Sequence, residues 1–307
     1  MQRVTNSILV SDLIRTLNER MRTLSDLGNQ AATGKRVYYA SDDPAAAGLI
    51  LELRNRLRQN AQFQENAESA TAWLTATESN LQQLSEILIQ ARADALEGSN
   101  QSLTPEDMMA LAESVNAYLE NVFSIANDDY GGKTMFGGTN TTDPAFQAMR
   151  DSSTNWITSV TPNPAGILGG IYRQVGNESL QINVSGADLF QPDGAGGSQD
   201  MFQILINLRD ALASGDPQAV GDCLDFIDQA TANVSDYSAL VGSQVDRLMY
   251  LQDRLLSQET SLTGHLSEEE DADLIEVMTQ LTLEQNAYQA ALNIGAMIIQ
   301  PSLVNFI

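Results

Sequence analysis

Both ends of this chain carry apolar side chains in the same three-then-four spacing, and neither end has an inner face of its own to hide them against. At the front the stripe runs through Val10, Ile14, Leu17, Met21, Leu24, Gly28 and Ala31; at the back it runs through Leu274, Val277, Leu281, Glu284, Tyr288, Ala291, Gly295 and Ile298. Only Glu284 and the two glycines interrupt it. A repeat close to 3.5 residues per turn is the seam of helices lying along one another, and each Leu-sized side chain left in water forgoes about 1.5–3 kcal/mol. The spacing therefore predicts two terminal helices that pair with each other or with a second copy of the chain.

Between them the punctuation is regular. Gly34 closes the first helix, and Asp43-Pro44 offers an N-cap followed by proline at the first helical position. From there Phe63, Ala67, Ala70, Leu74, Thr77, Leu81, Leu84, Leu88, Ala91 and Ala95 keep a helical repeat until Gly98-Ser99-Asn100 breaks it. Thr104-Pro105 and Asp216-Pro217 repeat the cap-then-proline start, opening a helix to about Asn127 and another that carries Val220, Leu224, Ile227, Val234, Val241, Val245, Leu248 and Leu255. Gly264-His265 reads as a break, and Ser267 with Glu270 reads as a capping box that opens the last helix. The stretch from Gly131 to Gly197 is rich in Gly, Asn, Thr, Ser and Pro, with β-type runs at 156–160, 171–175 and 180–184 and a two-residue turn at Gly176-Asn177.

These signals predict a mainly α fold, an elongated nested antiparallel helical bundle or coiled coil formed by the amino- and carboxy-terminal halves, with a small β-rich insertion. The expected divisions are 1–45 with 264–307 as a terminal helix-pair assembly domain, 46–135 with 199–263 as a helical rod, and 136–198 as a β-rich tip. The assembly seam falls on Val10, Ile14, Leu17, Met21, Leu24, Leu274, Val277, Leu281, Tyr288, Ala291 and Ile298.

Composition narrows the chemistry. The formal net charge is −24 over 307 residues, and the first sixty residues carry nine Lys/Arg against six Asp/Glu, so the acidity lies in the remainder. Such a body repels nucleic acid and anionic lipid. The basic front and the acidic run Glu268, Glu269, Glu270, Asp271 and Asp273 attract each other, with Arg54, Arg56 and Arg58 as candidate partners. One cysteine, Cys223, and one histidine, His265, give no disulfide and little material for a metal centre or a nucleophilic triad. Cys223 sits on an apolar stripe and reads as a packing residue. Gly131-Gly132-Lys133-Thr134 resembles the tail of a phosphate-binding loop but lacks its first glycine, Asn127 standing there. No catalytic residue, cofactor or metal is expected. No run reaches the 18 apolar residues of a membrane span, and the first residues are polar where a secretory leader is apolar.

Particular residues carry a resemblance. The segment from Leu24 through Gln30-Ala31-Ala32-Thr33-Gly34-Lys35-Arg36-Val37 and Ser41-Asp42-Asp43-Pro44-Ala45-Ala46 resembles the amino-terminal region of flagellins and flagellin-like proteins. So do Leu283-Glu284-Gln285-Asn286-Ala287-Tyr288-Gln289-Ala290-Ala291-Leu292 and the ending Leu303-Val304-Asn305-Phe306-Ile307 at the other end. Within that family, Gly131 to Thr139 and Ile182 to Phe190 are similar to members that join the flagellar hook to the filament. The resemblance implies a structural adaptor of the bacterial flagellum, exported through the flagellar type III apparatus without a cleaved signal peptide and therefore extracellular. It further implies like subunits in a layer, flagellin and the first hook-associated protein as neighbours, and an export chaperone at the carboxy-terminal helix. The filament subunit itself is the nearest alternative. A cytoplasmic coiled-coil scaffold, which composition alone favours, is a more remote one.

Overall fold

The computed structural model describes residues 6–100, 102–163 and 167–299. Seven helices carry most of them: α1 (Asn6–Thr33), α2 (Pro44–Gly98), α3 (Pro105–Ala126), α4 (Gly186–Phe190), α5 (Met201–Ser214), α6 (Pro217–Glu270) and α7 (Leu274–Ile299). Six short strands lie between α3 and α4: β1 (Asp129–Tyr130), β2 (Lys133–Thr134), β3 (Phe146–Arg150), β4 (Ile157–Pro162), β5 (Tyr172–Val175) and β6 (Glu178–Gln181). They pair as three antiparallel two-stranded ribbons, with a register shift at Met149/Arg150 in β3.

The starts of α2, α3 and α6 are set by the cap-then-proline signals of the sequence. Asp43 accepts from the amides of Ala45 and Ala46 at 3.1 Å ahead of α2, and Asp216 accepts from Gln218 and Ala219 ahead of α6. Thr104 and Asp107 form a reciprocal capping box at α3. These contacts fill amide donors that a helix leaves orphaned at its first turn. Gly131 and Gly132, at φ +61° and +75°, close the β1–β2 turn, so the phosphate-loop lookalike is a hairpin. Gly176-Asn177 closes the β5–β6 hairpin, with Val175 opposite Glu178.

Among the strands, β3 has no counterpart in the expected runs and β6 covers Glu178–Gln181 rather than 180–184, and one helix boundary differs from expectation. Gly264-His265 does not end a helix: α6 passes through it to Glu270, and α7 is opened by Asp273, which accepts from the amides of Ile275 and Glu276. Ser267 instead bonds Asp271 within and just past α6. A glycine inside a helix costs only about 1 kcal/mol. Leu262 is buried and Leu266 packs on Val37, Ala46 and Ile50, which holds the turn helical.

The chain divides into two compact units, one built from residues up to Asn60 and from Ser257 onward, the other from Ala61–Leu256. In the second unit, Thr71 receives a bond from Gln252, and Arg92 binds Asp228, so α2 and α6 run antiparallel there. Leu74, Leu81, Leu84 and Leu88 of α2 share one core with Val234, Val241 and Leu248 of α6 and Val115, Leu119 and Val122 of α3. Cys223 belongs to this core, and burial raises its thiol pKa. The β-rich segment falls in the same unit because its largest apolar side chains are buried with the helices. Phe190 of α4 sits 5.2 Å from Phe136, 5.5 Å from Phe146 and 5.5 Å from Phe202, ring centre to ring centre. Arg209 of α5, buried, donates to Asn116 and to the carbonyl of Ile157 and lies 4.8 Å over Trp156, tying α5 to α3 and β4. No helix among the described residues is long and apolar enough to cross a membrane.

Candidate assembly surface

In the first unit α1 and α7 pack along each other. Two contacts fix an antiparallel register: Arg20 binds Glu284 at 2.8 Å, and Gly295 lies under Leu13 so closely that a β-carbon there would come within 2.7 Å of it. Glu284, the charged interruption in the carboxy-terminal stripe, is therefore an ion-pair position. Gly295 is the place where the second helix approaches.

The expected seam residues divide. Val277 is buried, and Val10, Leu17, Leu24, Leu281, Tyr288 and Ala291 are half-buried. Ile14 and Met21, by contrast, remain 53% and 59% exposed, and Leu274 remains 49% exposed. The side chain of Ile298 lies outside the described part, as does the Asn305-Phe306-Ile307 ending. The physical reason is angular. At 3.6 residues per turn the apolar arc of α1 is wider than one seam, and the helix turns Leu13, Leu17, Leu24 and the buried Leu27 inward rather than Ile14 and Met21. Leu13 and Leu27 were missing from the sequence stripe although they share the spacing of Leu17 and Leu24.

Pairing leaves many large apolar side chains of these helices in water. Along α7, Ile275 is 82% exposed, and Met278, Leu283, Leu292, Ile294 and Met297 are exposed as well; along α1, Ile8 and Leu9 join Ile14 and Met21. Contiguous apolar surface of this kind marks a site of association.

A polar clasp holds the junction next to the pair. Glu270, its side chain 4% exposed, receives Arg54 at 2.7 Å and also Lys35. Its carbonyl accepts the amide of Arg36 at 2.7 Å, and Ala272 donates back to the carbonyl of Gly34 at 2.9 Å. Arg36 further reaches the Glu269 carbonyl and the Asp43 carboxylate. The Asp43 pKa is lowered, chiefly by the Ala46 amide and next by Arg36. Of the three arginines expected to meet the acidic run, only Arg54 does. Arg56 binds Glu52 one turn away and Arg58 reaches Asn55, because both point along their own helix. Lys35, which spacing did not single out, takes their place, since the αL turn at Gly34 carries it onto the α6 end.

Both cations on Glu270 stay partly in water, so replacement of Glu270 by Ala is expected to weaken the junction by about 1.5–3 kcal/mol rather than unfold it. Hydrogen exchange reads this directly: the Arg36 and Ala272 amides should exchange faster while amides of the second unit are unchanged.

Among the described residues no cluster of three or more His, Cys, Asp or Glu side chains is arranged to hold a metal ion. The family model for the bacterial flagellin N-terminal helical region matches residues 4–141, and that for the flagellin C-terminal helical region matches residues 224–307. The flagellar hook-associated protein 3 of Escherichia coli is 24% identical over 304 residues, covering 94% of each chain. That of Salmonella typhimurium is 25% identical over 280 residues, covering 86% of this chain and 87% of its own. A flagellar hook-associated protein of Vibrio parahaemolyticus has the same fold, with a TM-score of 0.64 over 75% of this chain and 100% of its own, at 22% identity. Flagellins are matched too, at 22% identity over a comparable length for that of Bacillus subtilis. With both flagellin helical regions matched at opposite ends and relatives of this kind along nearly the whole length, the chain belongs to the bacterial flagellin family.

Proposed function

We propose that this chain is the structural adaptor that joins the flagellar hook to the filament. As a flagellin-family protein it is a structural component of the flagellum. The finer role rests on the paired terminal helices. Their inner faces are satisfied by each other, while Ile275, Met278, Leu292, Ile294 and Met297 of α7 are left facing outward. Apolar side chains exposed in this number gain free energy when neighbours cover them, so the unit is suited to polymerise. Relatives of nearly the same length are named for the hook-associated position.

In this reading the subunit is exported through the flagellar type III apparatus without a cleaved signal peptide and forms a layer of like subunits. That layer lies between the first hook-associated protein and flagellin. Before assembly a chaperone covers the outward stripe of α7. The terminal pair of residues 1–45 and 264–307 is the assembly domain.

Deletion of the gene tests this. Hooks should form normally while filament protein leaks into the medium unattached, and filaments still attached in that strain would overturn the assignment. The filament subunit is the second reading, favoured by the two flagellin helical regions. Purified protein seeded onto hooks separates them: an adaptor adds a short layer and stops, whereas a filament subunit grows without limit.

A further inference from the structure

The second unit contains a recess of about 400 Å³ whose walls come from α2, the β1–β2 hairpin and the β5–β6 hairpin. Its size is that of small-molecule pockets, which run from about 300 to 1,000 Å³. Trp73 and Tyr130 form an aromatic corner, their rings edge to face at 6.0 Å. Thr139 and Thr141 supply hydroxyls, and two cations, Lys133 and Arg173, complete the lining.

Those cations are unusual in their setting. The chain carries 40 Asp and Glu against 16 Lys and Arg. Yet among the described residues neither Lys133 nor Arg173 lies within ion-pair distance of a carboxylate, while Arg92, Arg150 and Arg247 of the same unit each hold one. Arg173 is also turned inward. Strand alternation puts it on the covered face of β5 with the buried Val175, while Tyr172 and Gln174 face water. Its Nε is shut off from solvent without an acceptor, and so is the indole Nε1 of Trp73, a side chain more than nine-tenths buried. A charged donor turned into a wall with nothing to bind is costly to the fold. The terminal nitrogens of the Arg173 guanidinium are not shut off in this way and hold no carboxylate among the described residues, and a carboxylate in the recess matches their flat fork.

We infer that this recess is a binding site for a small carboxylate-bearing ligand of monosaccharide size, such as a uronic acid. Arg173 and Lys133 take the carboxylate, the exposed ring of Tyr130, braced by Trp73, provides a flat face for the apolar side of a sugar ring, and the threonine hydroxyls meet its hydroxyls. The inference stands apart from the junction role, since all of these residues lie within the second unit.

The test is titration of the full chain with glucuronate and, separately, with glucose, followed by calorimetry and tryptophan fluorescence. Glucuronate should bind saturably and glucose at least tenfold more weakly. Arg173→Gln should lower glucuronate affinity at least tenfold. Lys133→Gln, on an exposed turn where folding is not at stake, should lower it severalfold at an unchanged melting temperature. No saturable binding of glucuronate, equal binding of glucose, or undiminished binding by Lys133→Gln would each overturn the site.

Discussion

Leu281→Asp should abolish incorporation into the flagellum while leaving the second unit folded. Leu281 lies three residues before Glu284, and Leu24 lies four residues after its partner Arg20, so in the antiparallel register of α1 and α7 the two leucines fall at the same level of the seam. The substitution removes an apolar contribution of about 1.5–3 kcal/mol. It also places a carboxylate between two apolar faces, at a further cost of several kcal/mol unless the helices separate. The helices are expected to separate. Circular dichroism of the purified variant should show loss of helix from the first unit alone. The main thermal transition should remain, because the core of Leu74, Leu81, Leu119 and Val241 is made within residues 61–256. Ile275→Asp is the matched control: at 82% exposure it leaves the pair intact and puts its charge on the outward stripe, so helicity is kept and assembly still fails. Normal motility of the Leu281→Asp strain would remove the seam from the account.

Phe190→Ala should destabilise the second unit by about 3–5 kcal/mol, as expected for deleting a fully buried aromatic side chain. Phe190 is the hub of its cluster. It stacks on Phe202 and meets Phe136 and Phe146 edge-on, and all four rings are less than 2% exposed. The aromatic pairs add about 0.5–1.5 kcal/mol each beyond area burial, and the space left cannot close, since the facing rings come from separate elements. Urea unfolding followed by tryptophan fluorescence should show a lower midpoint with an unchanged slope. Tyr172→Ala, on the exposed side of β5, should shift stability by less than about 0.5 kcal/mol. A loss below about 1 kcal/mol for Phe190→Ala would mean that the β-rich segment is not fastened to the helices through this cluster.

The cap-then-proline starts were the most legible features. At Asp43-Pro44, Thr104-Pro105 and Asp216-Pro217 the bond partners are two or three residues away, so sequence alone contains both halves of the interaction. The same holds for the Gly176-Asn177 turn. Gly264 misled for the opposite reason. Its local preference to break a helix is small, and what overrides it is packing of Leu266 on residues more than two hundred positions away. The seam was legible in kind but not in phase. A wide apolar arc is consistent with several facing lines, and only contact with α7 selects Leu13, Leu17, Leu24 and Leu27 over Ile14 and Met21.

By itself, then, the sequence determined that the chain is mainly helical, where most helices begin and end, that its two extremities are mates, and which family it belongs to. These follow from periodicity and from neighbours within a turn or two. Tertiary structure decided which face of each terminal helix turns inward and which stays apolar in water. It also decided that Glu270 rather than its acidic neighbours takes Lys35 and Arg54, and that Arg173 lines a recess with no carboxylate of the described residues within ion-pair distance. Each of those depends on the angle and register at which distant segments meet, a quantity that no local run of residues contains.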